Sequence, residues 1–256
     1  MLDVRILSAL AGVGTAMLLS RAASATFTGL SVVATTHAIG AADPGAAVAW
    51  QGQTITTYQI FAMFNNAGDA LTSVFGNVPN PLTIQIRNAS DSGPGTTFFN
   101  NSFGANLAPN SSLYGTSPSL QWDTYLSIGV EPTPPVGVDT TAFSIGFFGG
   151  PSVNTPFSMD TGITGGTNHA WYVLGPIPQG TAGADLRVML AQFSVHAGEN
   201  IRGTLNLTYR PFGATSDLFV TASGSPSLMI FNTVPAPAAL ALFGLAGLFA
   251  SRRRRT

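Results

Sequence analysis

Besides its aspartates, the side chains with which this chain could do acid–base work are two glutamates, Glu131 and Glu199, and three histidines, His37, His169 and His196. A glycosidase needs two carboxyl groups flanking the scissile bond, and Glu131 with Glu199 is the glutamate pair on offer. Both stand in turn-like stretches, "GVEPTPPVG" and "HAGEN", so turn placement explains them equally well. His169 is placed at the start of a predicted strand and His196 just past the end of another, where only the fold could bring them together. The nucleophile elbow Gly-x-Ser-x-Gly is absent, because Gly29-Leu30-Ser31 runs into two valines. His-Glu-x-x-His is also absent, since His196 is followed by Ala197, Gly198 and Glu199. A chain without lysine has no P-loop, and Gly12-Val13-Gly14 lacks the third glycine of a dinucleotide motif. With no cysteine there is no thiolate nucleophile, disulfide or cysteine-ligated zinc. The oxygen-rich stretches "NNAGDA" (65–70) and "SDSGPG" (90–95) do not keep the spacing of a calcium loop. No catalytic residue, metal or cofactor is expected.

Aromatic side chains are the better candidates for a ligand. Trp122, Tyr125, Trp171 and Tyr172 could stack against the apolar faces of sugars. Neighbours on a strand point to opposite faces, so Trp171 and Tyr172 cannot line one platform and at least one of them is expected in the core. Thr54, Thr56 and Thr57 form one threonine fragment, not the repeated ladder that ice binding favours.

The elements that must position these residues read as strands. "TITTYQIFAMF" (54–64) is rich in β-branched and aromatic residues, and "LTIQIR" (82–87) alternates apolar with polar. The series continues through "LQWDTYLSIGV" (120–130), "TAFSIGFF" (141–148), "HAWYVLG" (169–175), "LRVMLAQFSV" (186–195) and "IRGTLNLTYR" (201–210), and "SGSPSLMIFN" (223–232) is a candidate final strand. Spacers dense in Gly, Pro, Asn and Asp supply turns, and 88–118 reads as a long surface excursion. No convincing long amphipathic helix interrupts residues 26–233. The expectation is an all-β chain, an antiparallel β-sandwich of jelly-roll-like type forming one body over 26–233.

Charged residues make up only 8% of the chain, against about 25% in soluble proteins generally. Residues 26–233 hold four Arg against ten Asp plus Glu, a net of −6. Such a body repels nucleic acid, whose binders present basic patches.

The two ends are of another kind. Arg5 precedes an apolar stretch from Ile6 to Leu19, and Ala23-Ser24-Ala25 gives the small-x-small pattern of a signal peptidase site. Residues 1–25 are therefore expected to be a signal peptide cleaved after Ala25, with Ala23 and Ala25 as the recognised small residues. At the other end, Ala238 to Ala250 is thirteen residues without charge, about 20 Å of helix at 1.5 Å per residue. Counted from Val234 the run is seventeen residues, or about 25 Å, a bare span for a hydrocarbon core of about 30 Å. It has no polar face, which a core helix would carry. Arg252, Arg253, Arg254 and Arg255 then stay on the cytoplasmic side. A short transmembrane helix with a membrane-stop cluster is the expectation, with everything between the two ends outside.

Val234-Pro235-Ala236-Pro237, a short apolar helix containing Gly244 and Gly247, and a terminal arginine cluster together resemble the PEP-CTERM sorting signal. The likeness covers 234–255. Pro235 and Pro237 match the two prolines of the motif, and Ala236 stands where the family carries Glu. The resemblance implies processing by an exosortase, a membrane-embedded cysteine protease-like enzyme, on the way to the cell surface or matrix. The expected partners are thus signal peptidase, an exosortase-type enzyme and the membrane, with polysaccharide as a further candidate and no nucleic acid. The function expected is that of an exported, non-catalytic protein, transiently anchored in the inner membrane and then placed on the surface or in the extracellular matrix. An exported carbohydrate-binding module and an extracytoplasmic hydrolase are the alternatives.

Overall fold

A computed structural model describes residues 27–132, 139–144, 147, 157–158, 162–167, 169–174 and 178–224. The expected signal peptide (1–25) and the sorting segment, including Val234, Pro235, Pro237 and Arg252 to Arg255, lie outside the described residues. Among the described residues no helix is long and apolar enough to cross a membrane.

The chain is all-β, built from two antiparallel sheets facing each other across a shared core. The first sheet has the order β1 (Phe27–Ala38), β2 (Thr54–Phe64), β10 (Arg187–His196), β5 (Tyr125–Leu126). The second is centred on β11 (Asn200–Arg210). Along one side of β11 lie β3 (Ala70–Phe75) and β4 (Leu82–Arg87), and β12 (Leu218–Gly224) pairs with β11 as well. Outside β3 come β9 (Ala170–Tyr172) and β6 (Ala142–Phe143); outside β4 come β8 (Gly162–Gly166) and β7 (Phe157–Ser158). β3 meets residues 206–210 of β11 and β4 meets 200–204, so the two are collinear with a break between them. Asn206, fully buried, closes that break. Its Nδ2 donates to Phe75 O at 2.9 Å and to Asn80 O at 2.8 Å, and its Oδ1 accepts from Thr221 Oγ1 of β12 at 2.6 Å.

Alternation along the strands decides which side chains meet. Tyr58, Ile60, Ala62 and Phe64 of β2 and Val188, Phe193 and Val195 of β10 face the core; they pack against Leu71 and Val74 of β3, Ile84 and Ile86 of β4, and Leu205 and Leu207 of β11. A register shift between Met189 and Ala191 turns Leu190 and Ala191 into the core together and leaves Met189 on the other face. Trp171 is fully buried at the centre, with its indole Nε1 donating to Leu190 O of the opposite sheet at 3.2 Å.

The outer face of the first sheet is not left to solvent. Of residues 88–118, expected as a surface excursion, 88–96 do stay at the surface beside β4, but the chain from Phe98 onward packs down on that face. Phe98 enters the main core beside Phe193 at 5.1 Å, and Phe99 joins Trp50, Ile39 and Ile55 in a second cluster. Tyr125, Met189 and Phe61 form a third. This cover explains why eight consecutive residues of β10 are buried.

The expected strand over 120–130 shrinks to Tyr125–Leu126, preceded by a 3-10 helix over Pro118–Trp122 that begins on its proline. Side chains of β10 take the place of a ladder there. Gln192 Nε2 donates to Gln121 O at 3.0 Å and Asp123 O at 2.8 Å, and Ser194 Oγ donates to Trp122 O at 2.5 Å. The strand expected over 141–148 is likewise only Ala142–Phe143 among the described residues. The candidate final strand over 223–232 overlaps the end of β12 at Ser223 and Gly224; the rest lies outside the described residues.

Candidate functional site

β1, β2 and β10 present a row of hydroxyl and amide side chains on the outer face of the first sheet. Pairing sets Thr35 beside Thr57 and Thr57 beside Ser194, one row from Gln59 beside Gln192. Where the covering segment stops short of β1, the face opens as a groove of about 250 Å³ lined by Thr35, His37, Thr57, Gln59, Gln192, Gln121, Trp122, Glu131 and Pro132.

The floor is held rigidly. Gln192 is fully buried, and its Oε1 accepts from Gln59 Nε2 at 3.0 Å while its Nε2 holds the two carbonyls of the 3-10 segment. Thr57 and Ser194 share a hydrogen bond of 2.8 Å. Because the single hydroxyl hydrogen of Ser194 goes to Trp122 O, Thr57 is the donor of that pair and its oxygen keeps acceptor capacity. Trp122 forms one wall, with one ring face covered by His37 at 4.4 Å and 13° between planes. Burial lowers the His37 pKa, which favours the neutral imidazole, and its Nε2 lies 3.0 Å from Thr35 Oγ1. On the far wall Glu131 ion-pairs with Arg187 at 2.9 Å, and the Arg187 guanidinium also lies over Phe61 at 4.2 Å. Pro132 is fixed through its carbonyl, which accepts from the Tyr114 hydroxyl.

A buried polar network anchors the covering segment. Asp43 accepts from Ser117 Oγ at 2.5 Å, Ser119 N at 2.8 Å and Gly45 N at 3.0 Å. Burial alone would raise its pKa, but these hydrogen bonds together lower it. Asn101 reaches Ser117 Oγ at 2.8 Å and Ser119 Oγ at 2.9 Å, and its own N–H donates to Asp123 Oδ1 at 2.7 Å. Asp123 is pushed up to about 7, because burial outweighs the three backbone N–H groups that favour its charged form.

The four aromatic candidates do not form one platform. Tyr125 and Trp171 are fully buried, so neither stacks a ligand. Trp122 sits half-buried in the groove, while Tyr172, also half-buried, lies beside Ser73 on the outer face of the other sheet. The glutamates are separated too. Glu131 is tied to Arg187 at the start of β10, whereas Glu199 follows its end and binds Thr96 through N at 2.7 Å and Oγ1 at 3.1 Å. A ten-residue strand is about 30 Å long, beyond the roughly 10 Å that a glycosidase pair spans. His169 has Phe147 as its aromatic neighbour at 6.3 Å, and His196 stacks on Trp50 at 4.0 Å.

Of the two oxygen-rich stretches, the second is engaged by cations, since Asp91 pairs with Arg87 at 3.1 Å and Arg202 at 3.7 Å. In the first, Asp69 is fully buried, with Oδ1 accepting from Phe212 N and Oδ2 without a partner. Among the described residues no group of three or more His, Asp and Glu side chains could hold a metal ion.

Sequence reasoning placed Trp122 and Glu131 among its candidates and named Thr57 only as part of a threonine fragment, but it missed Thr35 and the glutamines that line the groove between them. The signal available was the polar residue alternating through "TTYQI" and "LAQFSV", which marks a face that is polar yet inside the molecule. No family model, curated protein or solved structure matches this chain.

Proposed function

We propose that this chain is an exported, non-catalytic protein of the cell surface or extracellular matrix, sorted by its PEP-CTERM-like tail. Signal peptidase cuts after Ala25, the segment from Val234 holds the chain at the inner membrane, and an exosortase-type enzyme then processes it at the Pro235–Pro237 region. The body is a jelly-roll-like sandwich in this reading. The order β2-β10-β5 in the first sheet supports it, since β10 comes to lie between strands that precede it by far in the chain.

The observation that carries the non-catalytic part is the state of the groove. Its one carboxylate, Glu131, is already neutralised by Arg187, its one imidazole, His37, is stacked on Trp122 with Nε2 engaged by Thr35, and the other glutamate lies at the far end of β10. A general acid or base needs a free group within reach of the substrate. The large disulfide-free core also suits a body that holds its shape outside the cell without redox help.

The mass of the mature protein isolated from producing cells tests both ends at once. The expected product begins at Thr26 and has lost the arginine tail. Deleting 234–256 is expected to move the body from the envelope fraction to the soluble exported fraction. Intact, uncut chain dissolved in the cytosol would overturn the proposal.

A further inference from the structure

We infer that the groove over the first sheet is a binding site for one neutral pyranose unit of a polysaccharide. The argument starts from which polar atoms in it are already committed. Gln59 spends one Nε2 hydrogen on Gln192 and Gln121 spends one on Pro118 O. Each keeps its Oε1 and a second Nε2 hydrogen, because a side-chain amide carries two donors and an acceptor. Glu131 spends Oε1 on Arg187 and keeps Oε2. Thr57 keeps the acceptor capacity of its hydroxyl. The groove therefore offers mostly acceptors, with amide donors beside two of them. A ligand that satisfies it must bring several hydroxyl groups close together, and adjacent ring hydroxyls, which both donate and accept, match a side-chain amide on each count.

Charge decides between a polyol and the other ligands rich in donors or acceptors. The Glu131–Arg187 pair leaves no net charge in the wall, and His37 is held toward its neutral form, so nothing here favours an ammonium ligand or a phosphate. An acidic sugar fares worse than a neutral one, since its carboxylate or sulfate would give up solvation in a groove whose one nearby cation, Arg187, is already paired with Glu131. Size sets the extent. The cavity of about 250 Å³ falls below the ~300–1,000 Å³ of pockets for larger ligands, which leaves room for one ring, with the chain continuing into solvent. Trp122 and Pro132 supply the apolar contact on opposite sides of these amides. The floor is pre-ordered through Gln192, so little entropy is lost there when a ligand enters.

The test is affinity electrophoresis of the chain purified from producing cells, run in native gels containing dextran, galactomannan or xyloglucan, and in parallel gels containing polygalacturonate or dextran sulfate. Retardation by at least one neutral polymer and by neither acidic one is expected. Gln59→Ala and Gln121→Ala should each weaken the retardation about tenfold, with thermal unfolding of the variants confirming that they fold. These two are preferred to a Trp122 variant because Trp122 also packs against the cluster of Ile55 and Phe99. Tyr172→Ala, on the opposite outer face, is the control and should bind as the parent does. No retardation by any neutral polymer, stronger retardation by the acidic ones, or binding that survives both glutamine variants or falls with Tyr172→Ala would overturn the inference. The proposed location is a separate matter: a chain found uncut in the cytosol that still binds neutral glycan would remove the export reading and leave this one standing.

Discussion

Asp123 shows how a single side chain can be legible as a type and illegible as a state. In the sequence it is one of ten acidic residues of the body, in a stretch expected to be strand. In the fold it is buried beneath the covering segment, and burial pushes its pKa up to about 7. Between the ordinary carboxylate value near 3.8 and that value, the native state holds a proton which the unfolded chain has lost. Stability should therefore fall as pH rises from about 4 to about 7 and change little through this group above that. The neighbouring Asp43, whose pKa is lowered, contributes its dependence only at more acid pH. Denaturant unfolding at several pH values should show that slope in the parent chain. Asp123→Asn should be less stable at pH 4, having one oxygen in place of two for three backbone N–H groups, and nearly flat across the window. An unchanged slope in that variant would place the titration elsewhere. The groove glutamines are the same kind of residue: their identity was readable, but which atoms remain free depends on the fold, Gln59 being held by Gln192 far along the chain and Gln121 by Pro118 within a 3-10 turn that the sequence did not announce.

At the scale of elements, strands whose own residues alternate or are rich in β-branched and aromatic types were readable, and strands without that local pattern were not. β2, β4, β10 and β11 fall where alternation and β-branched content put them, within a residue or two. β1 and β3 escaped because neither alternates cleanly: Gly29 breaks β1 with a register shift, and in β3 Ala70 and Leu71 are buried side by side, as are the half-buried Thr72 and Ser73. The break between β3 and β4 is a tertiary device. Asn206 substitutes for the ladder across it, donating to the carbonyls of Phe75 and Asn80. Asn206→Ala leaves both without that donor and strips Thr221 of its acceptor, so a loss of roughly 2–4 kcal/mol is expected in urea unfolding. A loss below about 0.5 kcal/mol would mean that the collinear strands do not depend on this link. The segment 120–124 obeys the same rule: its carbonyls are served by side chains of β10, so a strand-like sequence adopts a 3-10 turn.

For the whole molecule, the decisive quantity is charge separated along the chain. The full sequence is close to neutral, with a net of −1 and an isoelectric point near 6.2, whereas residues 26–233 alone carry −6. If both ends are removed as proposed, the mature protein should focus well below pH 6.2; focusing at that value would mean that both ends are retained. The same excess of acid makes retention on a heparin column at neutral pH unexpected.

What the sequence determined by itself is what depends on local period and on solvent: an all-β chain, the placement of β2, β4, β10 and β11, and the difference in composition between its body and its two ends. Alternation and apolar run length are properties of neighbours, and a linear string records them in full. What only the tertiary structure decided is which polar side chains are left with unused hydrogen-bonding capacity. Thr57 and Gln59 come from one stretch of chain and Gln121 and Glu131 from another, and what Thr57, Gln59 and Glu131 have left to offer depends on Ser194, Gln192 and Arg187, far away in sequence. That is why the groove, and not the strands that floor it, had to wait for the fold.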